Sequence, residues 1–137
     1  MAVLIDTNIA ILLRDREPRT TARIGTLGGD AFISIVTHVE LEGGVVRKPA
    51  LAATRRASLD VLLQSLVVLP FDQRSAAAYR AIVETAGFNR QRLLDRMIAA
   101  TALVHDLPLI TCNGGDFRDV PGLKLEVWEN PEEPAPT

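Results

Sequence analysis

The chain has 137 residues, room for one domain rather than two. Apolar residues make up 47% and charged residues 23%, so the chain can bury a core and does not default to disorder. A single cysteine, Cys112, excludes an intrachain disulfide scaffold and a zinc cluster of cysteines, and a net charge of −2 argues against gripping nucleic acid by overall positive charge.

In chain order, residues 2–5 predict a first strand and Ile9, Leu12 and Leu13 the buried face of a short helix after it. Residues 31–35 predict a second strand. Leu59, Leu62, Leu63 and Leu66 follow helical spacing and run into a third strand at 66–69. An alanine-rich stretch, 75–86, forms helix readily. Met97, Ile98, Thr101, Ala102 and His105 mark a helix over 96–105, leading into a fourth strand at 107–111. The first four strands are nearly continuous in apolar character, as strands buried on both faces are. The fifth, at 124–128, alternates and suits a half-exposed edge. Strands alternating with helices predict a parallel sheet covered on both faces in a single domain over 1–128. The Pro- and Glu-rich stretch 129–137 is expected to be a flexible tail. No run of about 18 apolar residues exists to span a bilayer. No basic leader precedes Asp6, so a cytoplasmic protein is expected.

Carboxylates recur where the strands end. Asp6 follows the first strand, Glu40 lies five residues past the second, and Asp116 follows the fourth. Asp95 opens the helix over 96–105, which runs antiparallel to the strands, so its start lies at the same edge. In an open parallel sheet that edge binds ligands where strand order reverses. Each acid also has a plain explanation: Asp6, Asp95 and Asp116 as caps, and Thr37-x-x-Glu40 as a capping box. Capping requires no convergence, however, and accepts Ser, Thr or Asn equally well. Four anions at one edge repel unless a cation lies among them, and hard oxygen ligands suit Mg2+ or Mn2+. Asp72 also follows a strand and reads as an ordinary cap. Glu42 points to a different helix face from Glu40 and reads as solvated or supporting.

The segments Leu4-Ile5-Asp6-Thr7-Asn8, Thr37-His38-Val39-Glu40-Leu41, Asp95-Arg96-Met97-Ile98-Ala99-Ala100 and Thr111-Cys112-Asn113-Gly114-Gly115-Asp116-Phe117 resemble the PIN domain, and more narrowly the VapC toxins of toxin–antitoxin pairs. The resemblance spans nearly the whole chain, from Ala2 to about Trp128. It implies a three-layer α/β/α sandwich with parallel strand order 3-2-1-4-5. It also implies that Asp6, Glu40, Asp95 and Asp116 form an acidic metal pocket and carry catalysis. Thr7, Asn8 and Asn113 would orient ligands or water. The implied activity is a Mg2+-dependent endoribonuclease that hydrolyses RNA with metal-activated water. Mn2+ would be able to substitute. A cognate VapB-type antitoxin would silence it, the protein would be a homodimer, and no membrane would be involved. An antitoxin segment is expected in an apolar groove between the first helices and the later ones.

The basic residues are thirteen arginines and two lysines. Arg14, Arg92 and Arg96 are candidates to hold phosphate by bidentate bonds, against the plainer reading of solvated helix faces. Setting aside the four pocket acids and Glu126, Glu129, Glu132 and Glu133 near the C-terminus leaves 15 basic residues against 9 acidic. The modest net charge therefore averages an anionic pocket with a mildly basic remainder. Other chemistries fit less well. His38 and His105 suggest a metal-free acid–base pair, but Glu40 lies beside the first and a helix end holds the second. A thiolate at Cys112 would face four anions. A receiver-like Mg2+-dependent signalling domain needs a second acid and a late lysine, which Lys48 and Lys124 do not supply. A phosphatase of the Asp-x-Asp type would need an acid at Asn8. The remaining alternative is a catalytically inactive interaction domain whose acids only cap helices.

Overall fold

The computed structural model describes residues 1–132. The strands are β1 (Val3–Ile5), β2 (Ala31–Ser34), β3 (Val67–Leu69), β4 (Leu109–Thr111) and β5 (Leu125–Val127). The helices are α1 (Thr7–Arg14), α2 (Pro18–Gly25), α3 (Ile35–Arg47), α4 (Ala52–Ser65), α5 (Gln73–Ala86) and α6 (Leu93–Val104). All strand pairings are parallel and the order is β3-β2-β1-β4-β5, as expected.

Alternation along β1 divides the core in two. Val3 and Ile5 face one layer, with Ile9 and Leu12 of α1, Leu41 and Val45 of α3, and Leu59 and Leu62 of α4. Leu4 faces the other, with Ile82 of α5, Ile98, Ala99 and Ala102 of α6, and Phe117. This is the α/β/α sandwich.

Three local readings change. First, α2 has no counterpart among the predicted elements. Its apolar content is low, and it is set by its start instead: Pro18 opens it, and the Glu17 carboxylate accepts from Arg19 N and Thr20 N. Second, β3 is not buried on both faces. Val67 is 51% exposed, because β3 lies at the sheet border where helix cover is incomplete. Third, α3 begins directly at the end of β2. Ser34 caps it, accepting from Val36 N at 3.0 Å, so Thr37 and Glu40 lie inside the helix and form no capping box.

Two of the other candidate caps are as read: Asp6 caps α1 by accepting from Ile9 N at 3.0 Å, and Asp72 caps α5 by accepting from Ser75 N at 3.0 Å. Asp95 lies inside α6 and Asp116 ends its 3-10 turn, so neither is an N-cap. The expected tail at 129–137 falls partly on residues 133–137, which lie outside the described residues. Before them, Pro131 borders a small pocket with Arg19 and Arg23 of α2, and Glu132 reaches the cleft described next.

Candidate active site

Because every strand runs the same way, the ends of β1 and β4 lie side by side at one edge. Strand order reverses between these two neighbours, since the chain goes from β1 to β2 on one side and β4 lies on the other. Asp6 sits at that point and is 3% exposed. Its Oδ1 accepts from Ile9 N, and its Oδ2 accepts from the Thr111 hydroxyl at the end of β4. Thr111 Oγ1 in turn accepts from Asn113 N at 2.9 Å. The carboxylate is thus fixed at both oxygens.

Glu40 comes in from α3. Thr7 Oγ1 donates to Glu40 Oε1 at 2.7 Å and lies 3.0 Å from Thr37 Oγ1. A hydroxyl has one proton, so Thr37 donates to Thr7. Asp95 is on the third residue of α6, two residues inside a helix that starts earlier than expected. Asp116 ends a short 3-10 turn after β4. In that turn Gly114 is buried, and a Cβ there would lie 2.7 Å from Val127 Cγ2. The glycine therefore allows a close approach that packs the turn onto β5.

The four carboxylates interact electrostatically. Burial is the largest cause raising Asp6 to about 6, with Glu40 and Asp116 adding repulsion against its hydrogen bonds. Burial likewise raises Asp95 to about 6, followed by the charges of Asp116, Glu40 and Asp6, while Arg92 opposes the shift. Among the described residues, no three histidine, cysteine, aspartate or glutamate side chains stand close enough to share one ion. Mg2+ keeps several waters and needs only one or two carboxylates, so this donor set fits such an ion. Asp6, buried, and Asp95, half-buried, are both pushed toward protonation by burial and by neighbouring carboxylates, and they are the pair that would hold it.

A cleft of about 700 Å³ opens here. It is lined by Asp6, Thr7, Asn8, Glu40 and Asp95 at one end and by Arg47, Lys48 and Arg55 toward the other. Asn113 is exposed and does not line it. Arg14 lines the cleft but is buried and bonded through Nε and Nη2 to Asp15. Arg92 donates from Nη1 to the Gly115 carbonyl at 3.1 Å, linking the start of α6 to the turn that carries Asp116.

Arg96 does not fit the phosphate role. It is 2% exposed, bonded to Asp119 at 3.0 Å and to the Gly87 carbonyl, because it lies on the buried side of α6. Its task is to hold that layer together.

The two histidines form no catalytic pair. His38 bonds Glu42 at 3.0 Å, and His105 caps the far end of α6, about 15 Å of helix rise from Asp95. Glu42 is held by Arg56 rather than merely solvated. Sequence reasoning missed Thr111 as the partner of Asp6. It also missed Arg47 and Lys48, although their helical spacing from Glu40 was a usable signal, and Arg55, which comes from α4 with no such signal.

The PIN domain family model matches residues 3–123. Ribonuclease VapC1 of Rickettsia felis is 29% identical over 131 residues, which cover 91% of this chain and 95% of that protein. Ribonuclease VapC2 of the same organism is 26% identical over 135 residues, covering 94% and 99%. Among solved structures, VapBC2 of Rickettsia felis bound to a promoter DNA fragment matches with a TM-score of 0.81 at 25% identity, over 94% of this chain and 100% of that one. DNA-bound VapBC of Salmonella typhimurium also gives 0.81 at 25%, over 93% and 98%. FitAcB of Neisseria gonorrhoeae gives 0.75 at 29%, over 96% and 98%.

Proposed function

The chain belongs to the PIN domain family, and on that premise we propose that it is a Mg2+-dependent endoribonuclease, the toxin of a VapBC-type pair, hydrolysing RNA phosphodiesters. The observation that carries this reading is the electrostatic coupling of Asp6, Glu40, Asp95 and Asp116 at the switch point, the first three of them on the wall of a cleft with cationic residues at its other end. The relatives named as ribonucleases support it.

Asp6 and Asp95 would hold a Mg2+ ion, with Mn2+ as a substitute, which would supply Lewis-acid chemistry and lower the pKa of water there. Thr111 and the start of α1 keep Asp6 in one orientation, and Thr7 does the same for Glu40. Glu40 would take a proton from the attacking water, and the charge of Asp116 would strengthen the hold on the ion. Asn8 orients substrate or water from the cleft wall, and Asn113 does so beside Asp116. Arg92 bears on the charge of Asp95, and Arg14 screens the cleft wall.

A VapB-type antitoxin is the proposed partner. Its support is that similar chains were solved as VapBC complexes. An apolar groove of about 490 Å³ between α1, α2 and α4, lined by Leu13, Ile24, Val61, Leu62 and Leu66, suits an antitoxin segment. A homodimer is proposed on the exposed apolar face of Ile35, Val39 and Leu94 beside Phe71 and Met97. Among the described residues no helix is long and apolar enough to cross a membrane, and the cytoplasm is the proposed site of action.

The test is incubation with total RNA, with and without EDTA, followed by mapping of the cut ends, together with calorimetric titration of Mn2+. Cleavage that EDTA stops and specific uptake of Mn2+ are expected. Absence of both would overturn the proposal.

A further inference from the structure

The cleft extends well beyond its acids. Along α3 a stripe at helical spacing faces it: Glu40, then Gly43 and Gly44, then Arg47 and the following Lys48. From Glu40 to Arg47 is about 10 Å of helix rise, so one helix face runs from the anionic end of the cleft to a cationic end. Arg55 of α4 joins that cationic end, its Nη1 donating to the Gly44 carbonyl at 2.8 Å.

Two observations set this end apart. Arg56, adjacent to Arg55, is tied up by two carboxylates, Glu42 and Asp60. Arg47 and Lys48 are exposed and make no ion pair or side-chain hydrogen bond among the described residues. In addition, the two glycines stand in the interior of a helix, where they weaken it relative to alanine. The fold itself does not require them. Their φ angles are negative, a Cβ at Gly43 would meet nothing within 4 Å, and one at Gly44 would meet only Arg14 Nη1 at 3.5 Å. Their missing side chains leave the cleft floor bare between the acids and the unpaired cations. A bare helix backbone flanked by free cations suits the close approach of a phosphodiester chain.

We propose that Gly43, Gly44, Arg47, Lys48 and Arg55 form a binding track for the RNA backbone, holding phosphates other than the one cut, so that the strand lies along α3 from Glu40 toward Lys48. This rests on the ribonuclease reading above. The four acids repel an RNA strand, and the track supplies the opposing attraction. Its cations set affinity without touching the reacting atoms.

The experiment uses the full chain carrying Asp6→Asn and a short fluorescein-labelled single-stranded RNA, with anisotropy read in EDTA over a salt series. Adding Arg47→Ala and Lys48→Ala is expected to weaken binding about tenfold and to lower the salt slope by about 1.4, the release of two phosphate contacts. In the chain with Asp6 intact, the same two changes are expected to raise KM with kcat nearly unchanged. Gly43→Leu is expected to weaken binding while leaving the melting temperature equal or higher, because leucine favours helix and the space is open. A mere structural role for Gly43 would show the reverse. If the intact chain cuts RNA but Arg47→Ala/Lys48→Ala changes neither affinity, salt slope nor KM, the track is wrong and the ribonuclease reading stands. If the intact chain neither cuts nor binds RNA, both fall.

Discussion

Thr7 and Glu40, 33 residues apart in sequence, are joined by a hydrogen bond of 2.7 Å in which the threonine hydroxyl donates to Oε1. Thr37 donates to the same threonine, so a chain of two hydroxyls ties the first turn of α1 to α3 and aims a carboxylate. Glu40 is thus positioned by α1 rather than by its own helix end. Thr7→Val is expected to leave the fold intact and lower RNA cleavage by about tenfold or more, as losses of supporting partners at metal sites do. Thr7→Ser, which keeps the hydroxyl, is expected to recover most of the rate. Cleavage by Thr7→Val at the normal rate would show that the bond has no bearing on chemistry.

Asp6 accepts hydrogen bonds at both carboxylate oxygens, and Asn is an equally good helix cap. Asp6→Asn is expected to abolish Mg2+-dependent RNA cleavage with a circular dichroism spectrum unchanged from the parent chain. Retained cleavage would remove Asp6 from the site.

The raised carboxyl groups make a prediction about stability. Asp95 titrates near 6 in the folded protein against 3.8 as its ordinary value, so folding favours its protonated form. A group raised in this direction gives its full contribution below about pH 4 and loses it as pH climbs through 6. Asp95→Asn mimics the protonated form. In EDTA its melting temperature is expected to match the parent near pH 4 and exceed it by about 3–5 °C above pH 6.5. That corresponds to roughly 1 kcal/mol after allowing for partial exposure of the group. Saturating Mg2+ is expected to narrow the gap by stabilising the parent. A gap independent of pH would rule out titration of Asp95 as its cause.

Arg96 supplies a contrasting case. Arg96→Ala empties a buried volume and leaves the Gly87 carbonyl without its partner. The expected cost is about 2–4 kcal/mol, read by urea denaturation. Mn2+ affinity at low temperature, where the variant is folded, is expected to stay near normal. Loss of RNA affinity without loss of stability would restore Arg96 to the phosphate role.

Much of the fold was legible in the residues. Alternating apolar strands and helical stripes are local signals, and they placed five strands and most of the helices to within a few residues. The step from Ile5 to Asp6 put the first acid in the right place, because a strand end followed by a good cap is read within four residues. The strand order, with Asp6 at its reversal, followed once the family resemblance was in hand. The element without an apolar stripe, α2, escaped, since its boundaries rest on Glu17 and Pro18 alone.

What the tertiary structure decided is how the side chains are held. No pattern within α3 distinguishes a capping box at Thr37 and Glu40 from a bond to Thr7. The choice depends on β2 running into α3 with Ser34 as its cap. Likewise Arg92 and Arg96, four residues apart, look alike in sequence. One reaches the Gly115 carbonyl beside the acids and the other is buried against Asp119, because adjacent turns of α6 meet different layers. The sequence by itself therefore determined which residues could carry charge at the sheet edge, through strand ends and caps. Contacts between distant segments decided which of those charges face the cleft, since burial and hydrogen-bond partners depend on packing that local spacing does not encode.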